Sequence, residues 1–203
     1  MANKTIDYYE ENADELATRY ESADVSELHS RLLSTFRQGS SLLEVGCGTG
    51  REASFLLKKG YDVDSIEASR SMIRFALVYH PELDGRLING EVPICLESVT
   101  KKYDGIYSIA TLMHLSLVDI RLVLRRFYSL LKDYGKILIS VPLSRPDLKA
   151  SGYDPKGRYF LLLSEEKWKK IISAAGFLGI ETSTNADGMG RSSVKWLICV
   201  CKK

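Results

Sequence analysis

The amino-acid sequence predicts an α/β fold: a doubly wound, seven-stranded sheet, mostly parallel, with an antiparallel C-terminal hairpin strand and helices on both faces. Three observations lead there. From Leu42 onward, short apolar runs alternate with amphipathic helical stretches. The links between them are short, so successive strands run parallel through right-handed crossovers. Near the end, the turn signal Asp187-Gly188-Met189-Gly190 separates two apolar runs, as a hairpin requires.

Composition fits a folded domain. The chain has 203 residues, 45% hydrophobic and 27% charged, the balance of a globular protein rather than a disordered one. No apolar run approaches the ~20 residues that cross a bilayer. The opening residues are polar and acidic, without the apolar core of a signal peptide. The four cysteines, Cys47, Cys95, Cys199 and Cys201, form no CxxC pair and fit no zinc or disulfide framework. A cytoplasmic location without a resident metal is the expectation. The 28 basic and 26 acidic residues give a net charge of +2. Scattered lysine pairs and the arginines 121, 125 and 126 on one helix read as solvated surface. They are not the basic stripe of a nucleic-acid binder.

The elements follow in order. Residues 1–38 read as a helical extension, with Ile6, Tyr9, Ala13, Leu16 and Tyr20 at helical spacing and a second helix after Asp24. Residues 39–203 hold the sheet. Strands are expected at 42–45, 61–67, 86–89, 103–110 and 136–141, with helices at 52–59, 71–80 and 118–132. The last helix carries Ile120, Val123, Leu124, Phe127, Leu130 and Leu131 as an apolar stripe. A polar stretch at 143–158, with Pro146, Gly152, Pro155 and Gly157, is longer than a structural link needs and reads as a functional cover. Ser164 then opens a helix that Gly176 ends, and strands at 178–184 and 194–201 close the chain.

The most informative stretch is L-L-E-V-G-C-G-T-G, residues 42–50, where a buried strand runs into Gly46, Gly48 and Gly50 before a helix. Glycines there let a ligand approach the main chain closely. No Lys-Ser/Thr follows, which excludes a phosphate-cradling P-loop. Arg51 stands where a dinucleotide fold places its third glycine. Glu67 ends the next strand, at the spacing where such folds hold a ribose diol. Glu44, inside the first strand, adds a second carboxylate.

With E-V-G-C-G-T-G, S-I-E-A-S-R-S-M, N-G-E-V, Y-D-G-I-Y-S-I-A-T-L-M-H-L and L-L-K-D-Y-G-K-I-L-I-S-V in that order, the chain resembles the class I S-adenosylmethionine-dependent methyltransferases from about Ser40 to its end. The stretch G-T-G-R-E-A-S-F-L-L-K-K-G-Y-D-V is more loosely similar to small bacterial tellurite-resistance and thiopurine methyltransferases. The resemblance implies a Rossmann-like fold and S-adenosylmethionine as cofactor. Glu67 would take the ribose hydroxyls, Ala68 and Met72 would pack on the adenine, and Glu91 and Val92 would flank it. Many relatives have Asp where Glu91 stands. Gly46, Cys47, Gly48 and Gly50 would bring main chain against the amino-acid portion, helped by Glu44, with Ala110 closing the site from the fourth strand. Arg51 reads either as the partner of the cofactor carboxylate or as a solvated first-turn arginine.

On the acceptor side, His114 beyond the fourth strand reads as general base or as a structural histidine at a strand–helix junction. Tyr8, Tyr9 and Tyr20 of the helical extension read as cover residues facing a sulfonium or as core. Arg145, Arg158 and Tyr159 in the cover, with Arg191 near the hairpin, point to an anionic acceptor, because a guanidinium forks onto such groups. Trp196 reads as a core residue of the last strand. Ala110-Thr111-Leu112-Met113 replaces the Asn/Asp-Pro-Pro-aromatic motif of amino-directed nucleic-acid methyltransferases. The expected activity is methyl transfer to oxygen, sulfur or nitrogen of a small molecule by in-line displacement. The alternative is a non-catalytic sensor or partner subunit that binds the same cofactor. A nicotinamide dehydrogenase is disfavoured by Arg51 and the G-x-G-x-G spacing.

Overall fold

The computed structural model describes residues 2–185, 187–191 and 193–203. Seven helices and seven strands are formed by them: α1 (Ala2–Glu11), α2 (Ala13–Glu21), α3 (Ser26–Thr35), β1 (Ser41–Val45), α4 (Arg51–Lys58), β2 (Asp62–Glu67) and α5 (Arg70–Tyr79) come first. They are followed by β3 (Leu87–Asn89), β4 (Tyr103–Ile109), α6 (Leu117–Leu130), β5 (Leu131–Pro142), α7 (Glu165–Ala174), β6 (Leu178–Asn185) and β7 (Trp196–Lys202). No helix among the described residues is long and apolar enough to cross a membrane.

The sheet order is β3-β2-β1-β4-β5-β7-β6. β1 to β5 pair in parallel, and β7 runs antiparallel between β5 and β6. The seven-stranded mixed sheet agrees with the sequence expectation. Successive strand residues point to opposite faces, so Leu42 and Leu138 enter the core under α3 and α4, while Leu43 and Ile137 enter the core under α6 and α7. All four are fully buried. Each contributes about 1.5–3 kcal/mol relative to an exposed side chain. Helices α5, α6 and α7 start where serines satisfy their free N–H groups. Ser69, Ser116 and Ser164 accept from Met72, Asp119 and Lys167 at 3.1, 3.1 and 3.3 Å.

Two boundaries differ from the sequence reading for local reasons. The N-terminal apolar period runs through a break. Asn12, with φ −114° and ψ 19°, separates α1 from α2 and turns its side-chain amide back onto the Tyr8 carbonyl. The α6 stripe stops at Leu130, not Lys132, because Leu131 is extended and pairs with Tyr103. Residues 132–135 then bulge from β5, with Tyr134 at φ 62°, before pairing resumes at Lys136.

The chain leaves β1 to one side for β2 and β3, and crosses to the other side for β4 and β5. The connections that leave the carboxyl ends of β1 and β4 therefore diverge and open a crevice, the place where open α/β sheets bind ligands. Helices α1 and α2 pack on α5 and close that crevice from above.

Candidate active site

The cavity at the crevice encloses about 1450 Å³ counted to its open mouth.

Its floor is the glycine loop. Gly46 has φ 79°, and a Cβ there would fall 2.1 Å from Thr111 Oγ1, so only glycine lets β1 and the end of β4 approach so closely. Gly48, at φ 56°, is half-buried and lines the cavity, and a Cβ there would be in ordinary contact with the Met72 methyl at 3.5 Å. Gly50 is different. It starts α4 in the left-handed region, its missing Cβ makes room for Leu83, and it does not line the cavity. A packing role explains it.

Glu67 stands at the end of β2 with Oε2 accepting the Gly48 N–H at 2.8 Å and Oε1 accepting the Ser69 N–H at 2.9 Å. Each oxygen keeps a further lone pair. Burial pushes this carboxyl above its ordinary range, against the pull of those N–H groups. Ala68, Met72, Glu91 and Val92 line the same wall. Glu44 is buried, accepts the Tyr107 hydroxyl at 3.2 Å, and is pushed well upward by burial and by the charge of Glu52. Cys47 also lines the floor. Burial, with Glu44 and Glu67 nearby, raises its thiol well above the usual value, which leaves it a poor nucleophile.

Arg51 lines the cavity, but its guanidinium is engaged. Nε and Nη2 hold Glu52 Oε1 at 2.8 and 2.6 Å, and Nη1 donates to the Tyr20 carbonyl.

The opposite wall carries His114. Its Nδ1 lies 2.6 Å from the Tyr159 carbonyl. A carbonyl only accepts, so Nδ1 bears the proton and Nε2 the lone pair. Nε2 lies 3.1 Å from the Tyr9 hydroxyl, which therefore donates to it. Burial, then the charges of Arg158 and Arg145, push His114 down to about 4, so the ring is neutral in ordinary buffer. Burial, then the nearby Tyr20, raise Tyr9 well above its usual value, against the pull of the Arg158 charge.

Three arginines complete this end, each gripping an aspartate with Nε and Nη2. Arg158 holds the buried Asp154 at 2.8 and 2.6 Å, and Arg145 holds Asp147 at 3.0 and 2.5 Å. Arg191 holds Asp187 at 2.9 and 2.7 Å. Each fork leaves an Nη1 amino group outside it, and all three side chains line the cavity. Arg145 also stacks on Phe160, 4.0 Å from the ring centre.

The structure thus brings to one cavity Glu44, Gly46, Cys47, Gly48, Arg51, Glu67, Ala68, Met72, Glu91, Val92, Ala110, His114, Tyr9, Tyr20, Arg145 and Arg158. Tyr159 stays outside the wall and acts through its backbone, its N–H meeting Thr5 Oγ1 at 3.0 Å. Tyr8 also lies outside, beneath the Arg158 guanidinium at 4.9 Å. Trp196 corrects the sequence reading: it lines the cavity and donates Nε1–H to Asp187 Oδ1 at 2.9 Å instead of filling the core. Thr111, Met113, Phe160 and Met189 line the cavity without having been singled out. Their only sequence signal was nearness to His114, Tyr159 and Arg191.

A family model described as a methyltransferase domain matches residues 17–182. Phosphoethanolamine N-methyltransferase 3 of Arabidopsis thaliana is 36% identical over 154 residues, covering 70% of this chain and 29% of that protein. The chain thus spans under a third of the length of the curated relatives it matches. The Burkholderia thailandensis 1,6-didemethyltoxoflavin-N1-methyltransferase, solved with 1,6-didemethyltoxoflavin and S-adenosylhomocysteine, superposes with a TM-score of 0.76 at 17% identity over 100% of this chain and 88% of that one. Haemonchus contortus phosphoethanolamine N-methyltransferase 2, with phosphomonomethylethanolamine and S-adenosylhomocysteine, gives 0.75 at 18% identity over 97% of this chain and 59% of that one. At such identities the structural likeness is one of fold.

Proposed function

The chain belongs to the methyltransferase-domain family, of the class I S-adenosylmethionine-dependent type, and on that premise we propose that it transfers a methyl group from S-adenosylmethionine to a small amine bearing an anionic group. The single observation that carries this reading is the pairing within one cavity of Glu67, held by the Gly48 and Ser69 N–H groups, with a neutral His114 that accepts from Tyr9.

The residues fit the cofactor. Glu67 keeps lone pairs for two ribose hydroxyls, and Gly48, which lines the cavity without a side chain, lets a ligand reach the main chain. Met72 and Ala68 offer an apolar shelf for the adenine, with Glu91 and Val92 at its edge. Glu44 and Arg51 flank the position of the amino-acid portion, although Arg51 has to share its guanidinium with Glu52. Bound there, the cofactor supplies an electrophilic methyl carbon on a sulfonium.

The chain's own residues supply the rest. Positioning the acceptor in line behind the methyl accounts for most of the barrier reduction. Tyr9 holds its proton toward His114 Nε2, leaving phenol lone pairs for the acceptor's N–H. As the Tyr9 oxygen takes the proton from the acceptor nitrogen, its own hydroxyl proton goes to His114 Nε2, while Nδ1–H stays on the Tyr159 carbonyl. Arg145, Arg158 and Arg191 offer Nη1 groups to an anion, oriented in advance by their aspartates. The plant relatives are named for phosphoethanolamine, an amine that carries a phosphate and suits both ends of this cavity.

The test is calorimetric titration with S-adenosylmethionine and with S-adenosylhomocysteine, followed by turnover of phosphoethanolamine against ethanolamine. Micromolar cofactor binding and turnover that requires the phosphate are the expected results. A folded protein that binds neither cofactor form overturns the methyltransferase reading. Equal turnover of both amines overturns the anionic acceptor.

A further inference from the structure

Two Tyr–Glu dipeptides, Tyr9-Glu10 on α1 and Tyr20-Glu21 on α2, are used in the same way. Each tyrosine lines the cavity. Each glutamate, one residue on, grips one end of α5.

Glu10 takes the N-terminal end. It accepts the Ser69 hydroxyl at 2.6 Å, the Ser71 N–H at 3.0 Å and the Ser71 hydroxyl at 2.8 Å. These hydrogen bonds hold its carboxyl below the usual range, and a negative charge there also suits the helix dipole. Glu21 takes the C-terminal end. It accepts the Thr49 hydroxyl at 2.5 Å and lies 3.2 Å from Nε2 of His80, the residue that follows α5. Burial works against its charge, yet the bonds to His80 and Thr49 leave its carboxyl below the usual range.

Glu21 breaks a local rule. It is the last residue of α2, where a negative charge opposes the helix dipole. Arg19 in the same turn, Arg51 donating to the neighbouring Tyr20 carbonyl, and His80 offset that cost. A local rule broken and compensated in this way marks a functional position.

Both grips connect to the cofactor floor. Glu10 holds Ser69, whose N–H holds Glu67, which in turn holds Gly48. Glu21 holds Thr49 of the glycine loop directly.

We propose that Glu10 and Glu21 are positioning residues: a two-point clamp on α5 that docks α1 and α2 so that Tyr9 meets His114 over the cofactor site. The clamp is a property of the protein's own cover. Its catalytic consequence rests on the methyltransferase reading above.

The experiment uses the full chain carrying Glu10→Gln, Glu21→Gln and both, substitutions that keep shape and remove charge. Without any ligand, amide hydrogen exchange in residues 2–21 rises at least tenfold in the double variant, while β1, β4 and β5 keep their protection. In turnover, the double variant loses about tenfold or more in kcat. Combined with Tyr9→Phe it loses nothing further, because the clamp acts through Tyr9. Unchanged exchange in residues 2–21 overturns the clamp. Exchange that rises with a kcat loss equally large in the Tyr9→Phe background overturns the positioning role. Failure of the wild-type protein to bind cofactor removes the methyltransferase reading, and the exchange measurement still decides the clamp.

Discussion

Tyr9 and His114, 105 residues apart in sequence, meet at 3.1 Å with the phenol donating to Nε2. The direction of that bond is set from behind, by the Tyr159 carbonyl that keeps the proton on Nδ1. A tyrosine from the cover, a histidine just beyond β4 and a carbonyl from residues 143–163 thus form one hydrogen-bonded chain.

The pair predicts a specific kinetic signature. Tyr9→Phe and His114→Gln each lower kcat by about 10²-fold or more, the range of a general acid–base contribution. Cofactor affinity, measured by calorimetry, changes little in either. The two losses do not add, because either substitution interrupts the same relay.

Glu67 carries the complementary prediction. Glu67→Gln weakens S-adenosylmethionine binding by about 100-fold, the loss expected when charge-assisted hydrogen bonds of ~1.5–3 kcal/mol each become neutral ones. Circular dichroism checks that the fold is retained. An unchanged dissociation constant removes Glu67 from the ribose.

The arginines separate acceptor from cofactor. Arg145→Gln raises the KM for an anionic acceptor by about tenfold and leaves cofactor affinity unchanged, since its guanidinium lies with Asp147 and Phe160. Initial-rate kinetics with phosphoethanolamine and ethanolamine read the effect, which is confined to the charged acceptor.

The protonation of His114 has a defined pH window. Its folded value, pushed down to about 4, lies below the ordinary ~6.5. Between those values the unfolded chain binds the proton and the folded protein does not. His114 therefore costs stability progressively as pH falls from about 6.5 to 4 and costs nothing above. Nitrogen NMR of the imidazole at pH 5.5 shows the neutral Nδ1–H form. A ring already charged at that pH contradicts the burial.

Ala110 sits at φ 54°, a conformation that costs an L-residue about 1 kcal/mol or more. Ala110→Gly relieves that strain and raises the melting temperature by about 2 °C, measured by thermal denaturation. The strain falls where β4 turns into the cavity wall.

The sequence alone determined the sheet, the glycine loop and the position of Glu67. These depend on the period of apolar residues and on backbone freedom at fixed spacing, which are local properties of the chain. It also marked His114, Tyr9 and the arginines as residues worth weighing, but left each with two readings. Tertiary structure placed them along one cavity. The Tyr9 side of α1 became a cavity wall because Asn12 breaks the helix and Glu10 and Glu21 hold both pieces against α5. Trp196 left the core because Asp187 draws its indole N–H toward the cavity. Gly50 proved a packing glycine because Leu83, more than thirty residues on, occupies the space of its Cβ. Arg51 turned to Glu52 and the Tyr20 carbonyl because the end of α2 is docked beside it. A side chain's partner across tens of residues depends on which faces the crossovers bring together, and no local pattern encodes that.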